Sequence, residues 1–192
     1  MIFVKIKRIY SSKKKITLKC EATMSTWFFV LLILIGLSWL GIDRYISYYN
    51  QKQGKYYVTR VIDGDTIVLK NGVKVRYIGI DTPEMHDANP QKRCWAYKAY
   101  EFNKELVEHR WVRLETDVDL KDRNGRLLAY VYVDSPNTSG EIFVNKELVL
   151  QGLAFAVTYP PNVKHQKELM QAQEYAREHK LGFWGDTQCK IQ

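Results

Sequence analysis

Cysteine and histidine are scarce in this 192-residue chain, with three of the former and four of the latter. Cys20, Cys94 and Cys189 stand far apart, as do His86, His109, His165 and His179, and no Cys-x-x-Cys or His-x-x-x-His spacing occurs. That scatter excludes a zinc site read from ligand spacing. His86, two residues past Glu84, reads as loop surface. Internal repeats and low-complexity tracts are absent, which excludes repeat architectures. A general excess of positive charge is also missing once the chain is divided. Residues 1–54 hold nine basic and two acidic side chains, which leaves only +1 of the formal +8 for residues 55–192. Overall basicity therefore gives that larger part no case for binding nucleic acid, and any such case must come from where individual cations stand.

What the first 54 residues do have is an uncharged apolar run over residues 22–42, densest over 27–42. A helix of about 20 residues spans the hydrocarbon core of a bilayer. The basic residues before the run place the N-terminus in the cytoplasm, and Trp27, Trp39, Tyr45, Tyr48 and Tyr49 suit interfacial aromatic belts. This predicts a basic cytoplasmic tail (1–21), a transmembrane signal anchor (22–42), a polar linker (43–54) and an extracytoplasmic domain (55–192). Cleavage near Gly36-Leu37-Ser38 would instead secrete the domain, and a start at Met24 would remove the basic tail. A buried core helix is the third reading, although the domain is complete without this run. Outside the cytoplasm Cys94 and Cys189 form an even pair where disulfides persist. They can bond to each other, or Cys94 can pack as a small apolar side chain.

In the remaining 138 residues, enough for a single core, apolar runs at 57–62, 66–70 and 73–80 surround Asn71-Gly72, the preferred pair of a type I′ turn. Residues 66–80 thus read as a β-hairpin, whose geometry brings Asp65 at its start near Asp81 at its end. Two neighbouring carboxylates need a cation or a shared proton. Arg76 on the return strand offers a fork suited to phosphate. Oxygen donors without His or Cys point to a hard ion such as Ca²⁺ or Mg²⁺. Asp63 reads as turn chemistry only. Residues 111–117 and 127–133 read as two further strands, joined by a loop holding Asp122-Arg123-Asn124-Gly125-Arg126. Helices are predicted over 91–109, with Trp95, Ala99, Phe102 and Leu106 on one apolar face, over 145–152 and over 163–180, with Gly182 just past the end.

The ordered runs VIDGDTIVL, RYIGIDTPE, DRNGRLLAYV, LVLQGLAFAV and LGFW resemble the staphylococcal nuclease (thermonuclease) family over essentially the whole soluble part. That resemblance implies an α+β, mainly β fold, a five-stranded OB-fold barrel with three helices, here preceded by one N-terminal transmembrane helix. It implies a Ca²⁺-dependent endonuclease, acting on DNA and RNA with little sequence preference and leaving 3′ phosphates. Asp65, Asp81 and the Thr82 carbonyl match the metal ligands, Glu84 the general base, and Arg76 with Arg126 the phosphate clamp. Asp122 and Arg123 either contact the substrate, or support the residues that do, or form no more than a charged loop tip. Asn124 departs from the family's best known member, which has an aromatic residue there, and Tyr159 is the candidate for stacking on a base. A monomer is expected. The rival reading is an OB-fold module that binds single-stranded nucleic acid or a protein without catalysis, against which stands the complete set of six charged and metal-loop positions.

Overall fold

The computed structural model describes residues 27–42, 44–45, 54–185 and 189, in two compact units, Met1–Tyr49 and Asn50–Gln192. In the first unit residues 27–42 are helical (α1), and their large apolar side chains are exposed along the whole length. Among the described residues no helix is long and apolar enough to cross a membrane. Residues 22–26 of the expected anchor, the tail before it and most of the 43–54 linker lie outside the described residues.

The second unit is a closed barrel. Strands β1 (Lys55–Asp63), β2 (Thr66–Leu69) and β3 (Lys74–Tyr77) form an antiparallel meander. After the two-residue β4 (Ile80–Asp81) and the helix α2 (Pro90–Val107), β5 (Trp111–Glu115) returns to pair with the start of β1. Strand β6 (Leu127–Asp134) pairs antiparallel with β5 and parallel with β3, which closes a five-stranded ring as expected of an OB-fold. Two register shifts in β1 bend it so that one strand serves both sheets. Strand β7 (Glu141–Phe143) extends β6, and β8 (Phe155–Ala156) pairs with β4. Two more helices, α3 (Val144–Leu150) and α4 (Gln166–Glu178), complete the expected three of this unit, so four α-helices occur among the described residues.

Alternation fills the ring: Val58, Val61, Ile67, Leu69, Val75, Tyr77, Val112 and Val131 are all buried. Two buried asparagines tie the helices to it. Asn145 on α3 accepts from the Val131 amide at 2.9 Å and donates to the Ile78 carbonyl at 2.8 Å. Asn103 on α2 accepts from the Tyr77 hydroxyl at 2.8 Å and donates to the Asp63 carbonyl at 3.1 Å. Burial accordingly pushes the Tyr77 phenol far above its ordinary value. A Cys94–Cys189 disulfide closes a span of 95 residues; cross-links typically stabilise by about 2–4 kcal/mol.

One turn type and two helix starts differ from the sequence-based expectation. The loop after β2 is not a type I′ turn, because Gly72 is at φ +82° while Asn71 is not at positive φ. Instead Gly72 N–H donates to the Leu69 carbonyl and Leu69 N–H to that of Val73, the pattern of a three-residue loop with a glycine bulge. Helix α2 begins at Pro90 because the Asn89 side chain accepts the Gln91 amide at 2.8 Å. Helix α4 begins at Gln166 rather than 163 because Asp117 accepts the Lys164 amide at 3.0 Å and Glu115 holds the Lys164 ammonium at 2.7 Å and His165 at 3.0 Å.

Burial pushes the Glu115 carboxyl up, but the hydrogen bonds and charges of Lys164 and His165 outweigh it, and the group settles at about 2, below its ordinary 4.5. A depressed acid stabilises the fold above the unfolded value and loses that contribution as pH falls through the folded one. The stability difference between the native chain and Glu115→Gln should therefore be full above about pH 4.5 and vanish towards pH 2, as read by denaturant unfolding across that range. A difference that did not vary with pH would refute the assignment.

Candidate active site

Pairing of β2 with β3 sets Thr66 opposite Arg76, so the carboxylates at the two ends of the hairpin converge. Asp65 is wholly buried, and a buried charge has to be compensated in place. Its Oδ1 is ion-paired with the Arg76 guanidinium and accepts from the Thr66 hydroxyl at 3.3 Å. Its Oδ2 accepts both the backbone amide and the hydroxyl of Thr82 at 3.0 Å. The other arm of Arg76 donates to Asp81 Oδ1 at 2.6 Å, on a side chain that is 48% exposed. One guanidinium thus bridges the two carboxylates. Asp63 accepts the Asp65 amide at 3.0 Å, the turn role expected of it. Burial pushes the Asp63 carboxyl above its ordinary value, against the Thr66 hydrogen bond and the Arg76 and Arg126 charges.

The 122–126 loop is built around one side chain. Asp122 accepts the amides of Asn124 and Arg126 through Oδ1, both at 2.9 Å, and the Arg126 Nε through Oδ2 at 2.6 Å. Gly125 takes φ +76° to complete the turn. Burial acts upward on Asp122, but the Arg126 contacts prevail and hold it below the usual carboxylate range. Asp122 is therefore a loop organiser that aims Arg126. Arg123 is exposed at the loop tip.

Arg76, Arg126, Asp122, Arg123 and Tyr159 all line one cleft of about 570 Å³. Tyr159 is 68% exposed there, on a segment held by Asn162, which exchanges two hydrogen bonds with the backbone of Asp119 at 2.7 and 2.9 Å. Glu84 does not line that cleft. It is exposed in an adjoining hollow with Asp81, Thr82, Trp95, Phe155 and Trp184. The Arg76–Asp81 ion pair is the link between the two. Sequence reasoning does not find Asp119, Lys121 and Asn162 in the cleft or the aromatic wall beside Glu84, because the helical spacing of Trp95 points to core and no local pattern sets Phe155, Phe183 and Trp184 beside the acid.

Among the described residues no group of three or more His, Cys, Asp or Glu is gathered as a metal site. Asp65 and Asp81 nonetheless fit a hard cation: two carboxylates converge on a single positive group, and carboxylate oxygens are the ligands such ions prefer.

The family described as staphylococcal nuclease homologue matches residues 74–186. This chain belongs to the staphylococcal nuclease family. It is 40% identical over 140 residues to the thermonuclease of Staphylococcus hyicus, covering 71% of this chain and 79% of that protein. Over 132 residues it is 42% identical to the thermonuclease of Staphylococcus intermedius, covering 67% and 75%. The endonuclease YncB of Bacillus subtilis (strain 168) is 42% identical over 133 residues, covering 67% and 60%. The matched segment of the family includes Arg76, Asp81, Thr82, Glu84 and Arg126.

Removing the Asp122 carboxylate should leave the barrel folded but free the loop. Asp122→Ala is expected to cost about 1.5–3 kcal/mol, the range for hydrogen bonds to a charged group, and to speed amide exchange at Asn124 and Arg126. Unchanged exchange at both amides would refute the organising role.

Proposed function

We propose that this chain is a calcium-dependent endonuclease that cuts DNA and RNA with little sequence preference, leaves 3′ phosphates and is displayed outside the cytoplasmic membrane. Family membership makes it a nuclease, a hydrolase of phosphodiester bonds. The observation that carries the site assignment is that Arg76 and Arg126, from separate elements, line one cleft beside the carboxylates of Asp65 and Asp81. Asp65, Asp81 and the Thr82 carbonyl would hold the ion, which supplies positive charge next to the phosphate. Arg76 and Arg126 grip the phosphate oxygens and oppose the negative charge that builds as water attacks. Glu84, exposed and with no ion pair among the described residues, takes the proton of that water. Tyr159 offers a sequence-tolerant face to a base, as a nuclease of relaxed preference needs.

The test is digestion of single-stranded DNA by the full-length chain in mild detergent, with Ca²⁺, Mg²⁺ or chelator. Cleavage with Ca²⁺ and its loss with chelator are expected, and intact DNA after prolonged incubation with Ca²⁺ would overturn the reading. Glu84→Gln, Arg76→Lys and Arg126→Ala should each lower the rate by about 10²–10³, the usual effect of deleting one transition-state partner, with unchanged circular dichroism; lysine at 76 keeps a positive charge beside the buried Asp65 but loses the fork. Near-normal rates in any variant would refute its role.

Membrane display rests on the uncharged run at 22–42, the basic residues before it and the exposed apolar surface of α1. Protease added to intact cells should remove the nuclease domain while sparing a cytoplasmic control, and full protection of the domain would refute this topology.

A further inference from the structure

Beside the cleft runs a trough of about 480 Å³ between the β2–β3 turn and the 122–126 loop, lined by Lys74, Lys121, Asn124 and Arg126 among others. Among the described residues no carboxylate lines it. It is continuous with the cleft, because Lys121 and Arg126 line both. We propose that this trough is a second phosphate subsite, in which Lys74 and Lys121 hold the phosphate next to the one under attack on a single-stranded nucleic acid. The inference rests on the nuclease reading of the cleft and extends it to how a strand is held.

Strand geometry supports the placement. Along β3, Val75 and Tyr77 are buried while Lys74 and Arg76 face outward. The two cations therefore share one face at a two-residue step of about 7 Å, so a strand bound at Arg76 finds the next cation along the same ridge. Parallel pairing of Val75 with Leu127 sets Lys74 beside Arg126, and the bridge between Lys121 and Leu127 brings Lys121 to the other side. Charge supports it too. Arg113, Lys146 and Lys164 are tied to carboxylates, whereas Lys74 and Lys121 are exposed and carry no ion pair among the described residues. With Arg76 held between Asp65 and Asp81 and Arg126 on Asp122, these two lysines add uncompensated positive charge along the same line in a region whose net charge is only +1. Contacts of this kind are independent of base identity and release counterions.

The experiment compares the full-length chain in detergent with its Lys74→Gln/Lys121→Gln variant on a long single-stranded DNA and on a dinucleotide with one phosphodiester. The ratio of kcat/KM between the long and short substrates should fall by about an order of magnitude, and its slope against log salt should become shallower by about 0.7 per lysine removed. The Lys74→Arg/Lys121→Arg variant should restore both. A ratio and a slope equal to the parent's, with both proteins active, would overturn the subsite alone. Absence of hydrolysis of either substrate by the unaltered chain would overturn the nuclease reading and the subsite with it.

Discussion

The buried carboxylate of Asp65 is the constraint around which the site is organised. A charge with no exposure is tolerated only when every oxygen is answered, and the answers come from three places: the Thr66 hydroxyl next door, Arg76 across the hairpin and Thr82 beyond its end. Satisfying one side chain thereby fixes the register of β2 on β3, the path of the chain after β4 and the direction of Arg76. The same guanidinium reaches Asp81, so the two acids, the threonine and the arginine form one unit. The hairpin is thus a device for gathering charge as well as a piece of barrel wall.

The ring supplies the rest by holding loops rigidly at its rim. Parallel closure of β3 on β6 sets the 122–126 loop against the hairpin, and Asp122 turns that loop into a mount for Arg126. Asn103 and Asn145 anchor α2 and α3 through paired donor and acceptor contacts to the barrel. Such fully satisfied buried amides specify position more sharply than apolar contact can. The Cys94–Cys189 bond ties the first helix of the domain to its C-terminal tail, on the side where Trp95 and Trp184 wall the hollow that holds Glu84.

Charge is distributed by role. A network of compensated pairs around Glu115, Arg113 and His165 locks the start of α4 to β5. Along the cleft and trough Arg76 is shared between two acids, Arg126 is held by Asp122, and Lys74 and Lys121 carry no ion pair among the described residues. A near-neutral domain can therefore present a strongly directional field, which is what a polyanion senses on approach.

Much of this was legible in the residues. Period-two alternation and the Asn71-Gly72 punctuation gave the hairpin, and the hairpin gave the proximity of Asp65 to Asp81, because a tight reversal leaves no freedom in which ends meet. The ordered motifs identified the family and with it the ring, and they nominated six positions for the site. Turn type escaped because only Gly72, not Asn71, adopts positive φ, a choice made by the twist of the flanking strands. The start of α4 escaped because His165 and Lys164 are claimed by Glu115 on β5, a partner 50 residues away for the former. The separation of Glu84 from the arginine cleft was likewise not readable, since it depends on which surfaces meet when the barrel closes. The sequence by itself determined the local elements and the chemical inventory, through periodicity, turn residues and charge. Tertiary structure alone decided which charges are compensated and which remain free, because burial and long-range pairing are properties of the closed ring and not of any segment.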